Sequence, residues 1–262
     1  MVAAESVPLR EGLLVRRVIA YGLVVLCMAP LVLGLVWMLY KADPPGYTRP
    51  SDFTTAEIET EAARFVTASG LVAATLADER NRTPLDVTFT DAMINGHLRT
   101  HARDVKSRLP GWITNPQVVF TAEDIVLMAQ IRHEKADTIL SVHVRPTLTD
   151  DKRIALRIIE QKAGRLPLPD AVRNAMADHA EGTVRTLAAR LQALDPAGDR
   201  RRYERLSMEM EFLRDAAQLC RGQEVTVDTR KYNLRIDGLE LSPRRLHLVG
   251  SRVTGSEGAI DP

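Results

Sequence analysis

Between Val18 and Tyr40 the chain runs for 23 residues without a charged side chain, and every position except Gly22, Pro30 and Gly34 is apolar. A helix of that length spans roughly 35 Å, enough to cross a hydrocarbon layer of roughly 30 Å with some tilt. Tyr21 lies near one end and Trp37 with Tyr40 near the other, where aromatic side chains favour the bilayer interface. A cleaved signal peptide would need a shorter apolar run and a small-x-small exit. This run instead leaves through Trp37, Met38, Leu39, Tyr40 and Lys41. The segment therefore reads as an uncleaved transmembrane helix, residues 18–40. Arg10, Arg16 and Arg17 precede it, against Lys41 and Arg49 after it. That bias predicts a cytoplasmic N-terminus (1–17), with the remainder exoplasmic, in a single-pass protein of the cell membrane.

The rest of the chain has an ordinary water-soluble composition. With 35 basic and 34 acidic side chains the net charge is +1, which argues against a nucleic-acid partner. Two cysteines, Cys27 inside the span and Cys220 far beyond it, make no disulfide framework. Residues 41–52, KADPPGYTRPSD, hold three prolines and read as a stiff linker lifting a domain, 53–250, off the bilayer. The Gly/Ser-rich end, 251–262, reads as a flexible tail.

Hydrophobic spacing gives that domain an α+β character. Phe53, Ile58, Ala62, Phe65, Val66, Ser69, Val72, Ala73 and Leu76 recur at helical steps, predicting a helix over 53–79 capped by Thr54 or Thr55. A short strand, Leu85–Phe89, then leads into a helix from Asp91 to Leu109, with Thr90 or Asp91 as its cap. From Pro116 to Leu168 the period changes to two, which predicts a curved antiparallel meander. Helices over 170–194 and 199–220 follow, with stripes through Val172, Ala175, His179 and Leu187, and through Tyr203, Leu206, Met210 and Ala217. Strands at 224–229, 232–241 and 244–253 close the domain, with Asp237-Gly238 and Ser242-Pro243 as turns. The long helices are the expected cover for the sheet.

No catalytic or cofactor motif emerges. The chain has no G-x-S-x-G, Walker A or G-x-G-x-x-G sequence. His97 and His101 stand four apart with Asp104 beyond them, but lack the intervening glutamate and third ligand of a zinc helix. His133 and His143 flank a hairpin as polar cross-strand positions, and Glu123-Asp124 and Asp150-Asp151 fall at turns. The basic run Arg200–Arg202 is matched by Glu204, Glu209 and Glu211 at helical distances. The expectation is a non-enzymatic protein without metal or cofactor.

Two short stretches are more specific. In FTDAMINGHL, Phe89–Leu98, a strand enters a helix with Asn95 in its first turns; in AGRLPLP, Ala163–Pro169, the meander ends and a helix starts at Pro169. Pro167 reads there as a stop to strand pairing. Thr90, Ile94, Asn95 and Leu98, together with Gly164, Leu166, Pro167, Leu168 and Pro169, resemble the paired motifs of the YpmS family of bacterial single-pass membrane proteins. More distantly the pattern is similar to envelope domains of the tubular lipid-binding kind. The resemblance covers about residues 85–170, and it implies architecture rather than activity.

The meander also carries apolar residues at adjacent positions, such as Val126 and Met128 beside Ile125 and Leu127, and Leu140 and Val142 beside Ile139. A sheet apolar on both faces has either helices on both sides or a groove on one. The sequence thus predicts a groove lined by Val126, Met128, Leu140 and Val142, holding a lipid or other apolar ligand. The alternative is a scaffolding protein of the cell envelope that docks a protein partner through the helices at 53–79 or 199–220.

Overall fold

The protein is described here by a computed structural model that covers residues 32–49, 52–77, 83–102, 113–133, 136–194 and 199–253. Most of the expected span lies outside these residues. Its last part is helical over 32–41 (α1), and among the described residues no helix is long and apolar enough to cross a membrane. Cys27, Asp104 and the tail beyond Val253 also fall outside.

The domain is α+β with antiparallel strands, but they form two sheets rather than the single one expected. The meander is β2 (Ile113–Phe120), β3 (Ile125–His133), β4 (Ala136–Leu148), β5 (Ile154–Ala163) and β6 (Leu166–Pro167), paired in that order. β7 (Val225–Val227) joins the start of β5, from Ile154 to Leu156. The last two strands, β8 (Leu234–Ser242) and β9 (Arg245–Arg252), turn away and pair with β1 (Leu85–Thr90) in the order β1-β9-β8. Asp237-Gly238 is a bulge inside β8, where Ile236 faces Gly250 and Gly238 faces Val249, and not the turn expected from its sequence. The turn comes at Pro243-Arg244, with Arg244 left-handed at φ 68°.

Helix ends follow the local chemistry. α2 (Thr55–Ala77) opens on a reciprocal capping box. The Glu57 N–H donates to Thr54 Oγ1 at 3.3 Å, and the Thr54 N–H donates to Glu57 Oε2 at 2.9 Å. α3 (Asp91–Thr100) is capped by Thr90, whose Oγ1 accepts from the Met93 N–H. α4 (Asp170–Gln192) starts directly after Pro169, and α5 (Arg200–Cys220) ends at Cys220, whose half-buried thiol is pushed up by burial.

Two helix faces differ from expectation. Val66 and Ala73 are exposed, because α2 turns its Ile58–Ala62 side towards α3. On α4 Leu187 and Leu191 are buried as its apolar stripe requires, together with Ala177, whereas Val172, Ala175 and His179 face outwards. α4 pairs with α5, and Ala217 is buried on α5. Arg221 ties the pair together through Asp178 at 2.8 Å and through Glu181.

The segment read as a spacer, 41–52, lies on the meander through residue 49. Tyr47 packs on a cluster of Val126, Met128 and Ile139. The Thr48 N–H donates to Gln117 Oε1 at 3.1 Å, and Gln117 Nε2 donates back to the Thr48 carbonyl. The end of α1 is held as well. Thr138 Oγ1 donates to the Tyr40 carbonyl at 2.6 Å, and the Arg165 N–H donates to the Leu39 carbonyl at 2.9 Å.

Candidate functional site

The register of the meander separates the four residues expected to line one groove. Val126 faces His143 and Met128 faces Ser141, on the side covered by Tyr47. Leu140 pairs with Ala129 and Val142 with Leu127, on the opposite side. Val126 and Met128 are buried, while Leu140 and Val142 are half-buried.

A cleft of about 770 Å³ opens elsewhere, between α2, α3 and the edge strand β2. Phe53, Ala56 and Ile58 supply one wall and Ala92 and Val119 the other. Gly46 and Thr48, from the segment that continues α1, close one end, and Arg244 from the β8–β9 turn closes another. The helices that form the cleft meet at Gly96, where a Cβ would come within 2.9 Å of the Ala62 backbone nitrogen. Only glycine allows α3 to lie that close to α2.

α3 is fixed at three points. Asn95 Nδ2 donates to the Val118 carbonyl at 2.7 Å, and its Oδ1 accepts the Val118 N–H at 2.7 Å. The Asn95 amide thereby occupies the place of a neighbouring strand at the open edge of β2. At the start of α3 the Asp91 N–H donates to the Arg244 carbonyl at 3.2 Å, and Arg244 Nε reaches Asp91 Oδ1 at 3.4 Å. The Arg244 N–H donates in turn to the Phe120 carbonyl at 2.9 Å, so this one turn joins both sheets to α3.

The charged groups of the cleft are nearly all satisfied. Glu57 is engaged by Thr54, whose N–H and hydroxyl hold its carboxyl below the usual range. Glu61 pairs with Arg64 at 2.7 Å, and Asp91 with Arg244. Arg99 stands apart. Its guanidinium carbon lies 3.8 Å from the centre of the Phe53 ring, and its Nη2 is buried without a hydrogen-bond partner. Burial lowers its pKa from the ordinary arginine value, against the opposing influence of Tyr47 and Asp52.

The remaining sequence features fall into structural places. Gly164 is left-handed at φ 62° beneath the end of α1. Pro167 sits inside the short β6, opposite Lys162, and pairing continues one bond further as the Leu168 N–H donates to the Gln161 carbonyl. His133 and His143 are not cross-strand partners, since they face Ala136 and Val126. Among the described residues no group of three or more metal-binding side chains comes together.

His97 lies between Phe65, at 4.5 Å, and His101, at 4.3 Å between ring centres, with both ring pairs tilted. Burial and then the neighbouring His101 push its pKa below the ordinary value near 6.5. The unfolded chain therefore takes up a proton at His97 before the folded one does. Stability from this site is present above pH ~6.5 and falls as the pH drops below it. The melting temperature should decline between pH 7.5 and 5.5, and His97→Phe should flatten that decline; an unchanged pH slope in the variant would exclude His97 as its source.

No known family model, curated protein or solved structure matches this chain.

Proposed function

We propose that the protein is a non-enzymatic, membrane-anchored binding domain on the exoplasmic face of a cell membrane, and that the α2–α3 cleft holds a lipid or similar apolar ligand. The observation that carries this reading is the cleft itself, whose volume and apolar walls suit a lipid-sized ligand. Two features support its setting. α1 exposes Leu33, Trp37 and Met38 at 68%, 57% and 60%, as the end of a bilayer-embedded span does. The cleft wall at Gly46 follows α1 by only five residues, a reach of at most about 17 Å, so the ligand site stays near the bilayer surface. Resemblance to the YpmS family is consistent with this architecture.

The test uses the full chain. Protein purified from membranes is denatured, extracted and examined by lipid mass spectrometry beside Ala56→Trp, whose exposed helix position tolerates an indole that fills the cleft. A lipid enriched over bulk membrane is expected with the wild type and a loss of at least severalfold with the variant. Equal recovery from both would remove the cleft as the binding site. The second reading, docking of a protein partner, rests on Met208 and Phe212, one turn apart on α5 and exposed at 54% and 70%. Recovery of a stoichiometric protein without enriched lipid would favour it.

A further inference from the structure

The side chains of the cleft also specify one end of its ligand. On α3, Ala92, Asn95, Gly96 and Arg99 recur at steps of three and four and line the cleft together. Asn95 is committed to β2 and Gly96 to the helix contact, which leaves Arg99 as the residue of this face with free bonding capacity.

We propose that Arg99 selects an amphiphile with an anionic carboxylate or phosphate head, seating that head on its guanidinium while the apolar chain runs along Phe53, Ile58 and Val119. The inference rests on the cleft being a ligand site. Nη2 is shielded and has no acceptor, which is unfavourable in the empty protein; an anionic oxygen removes that cost once the guanidinium turns on Phe53 to present this N–H to the cleft. The competing acids are occupied: Glu61 by Arg64, Asp91 by Arg244, and Glu57 by its helix cap. Asp52, which acts on Arg99 electrostatically, accepts the Arg49 N–H at 2.9 Å. Stacking on Phe53 leaves the planar edge of the guanidinium for in-plane hydrogen bonds, the geometry that suits carboxylate and phosphate. A neutral lipid of the same chain length fills the apolar walls and leaves Nη2 bare.

The experiment places the full chain in phosphatidylcholine nanodiscs and titrates it with parinaric acid and with the corresponding alcohol, subtracting protein-free discs. The wild type should bind the acid about tenfold or more tightly than the alcohol, the gain expected of a charge-assisted hydrogen bond. Arg99→Met should bind both with the affinity of the alcohol, and Arg99→Lys should recover part of the difference. Equal binding of acid and alcohol by the wild type would overturn the inference while leaving the cleft as a lipid site. So would an Arg99→Met variant that weakens both probes alike, since Arg99 would then act only by packing on Phe53. Binding of neither probe would sink the lipid reading itself. Inorganic phosphate distinguishes the source of the anion. If it displaces the acid at millimolar concentration and leaves the alcohol bound, the site takes a soluble anion and the head-group assignment fails; no displacement supports it. Should Arg99→Met not fold, the wild-type ratio of acid to alcohol, with and without phosphate, still decides.

Discussion

Gly164→Ala should detach the end of α1 from the meander. At φ 62° a non-glycine residue costs about 1–3 kcal/mol in backbone conformation alone. The larger effect is steric, because the new Cβ would fall 2.5 Å from the Leu39 carbonyl oxygen and closer still to that of Tyr40. Backbone atoms cannot swing aside as a side-chain tip can, so the Arg165–Leu39 and Thr138–Tyr40 hydrogen bonds should be lost together. Gly222→Ala is the control. It shares the left-handed backbone, at φ 76°, and has nothing within 4 Å of the new Cβ. The expected result is a melting temperature clearly lower for Gly164→Ala than for Gly222→Ala, with faster tryptic cleavage after Lys41. Equal melting temperatures and equal cleavage would mean that the α1 contact contributes nothing.

Asn95→Ala should cost about 2–4 kcal/mol, because it leaves the Val118 N–H and carbonyl without partners, and the part-buried site keeps each loss to about 1–2 kcal/mol, the lower part of the range for such groups. For a domain of this size that corresponds to a melting temperature lower by about 4–16 °C. Asn95→Asp separates the two bonds. The carboxylate still accepts the Val118 N–H but meets the Val118 carbonyl with no donor, so it should be destabilising too. Denaturant unfolding that shows less than about 0.5 kcal/mol for Asn95→Ala would put the hold on α3 elsewhere, at Arg244 and Gly96.

Much of the scaffold is legible in the sequence because its signals are local. Period-two alternation marks β2 to β5, and caps such as Thr54, Thr90 and Pro169 fix helix starts to within two residues. What the sequence hides are the relations between distant segments. β8 and β9 have the same alternation whether they extend the meander or pair with β1, and only burial of Leu85, Val87 and Ile236 between layers selects the second arrangement. The Pro-rich stretch reads as a spacer because its hold on the sheet comes from Gln117, nearly seventy residues away. The cleft is the least legible part. Its lining comes from five segments, and Arg99 looks like one more solvent-facing charge on a short polar helix. The signal it offers is the helical spacing of Ala92, Asn95, Gly96 and Arg99.

The turn at Arg244 has a consequence for how the protein is made. It supplies a wall of the cleft and the backbone partners of both Asp91 and Phe120, although it lies more than 120 residues after either. A nascent chain in which α2, α3 and the meander have already emerged still has β1 without β9 and α3 without its hold at Asp91. The cleft is therefore completed only when the β8–β9 hairpin leaves the ribosome, well after the helices that form its walls.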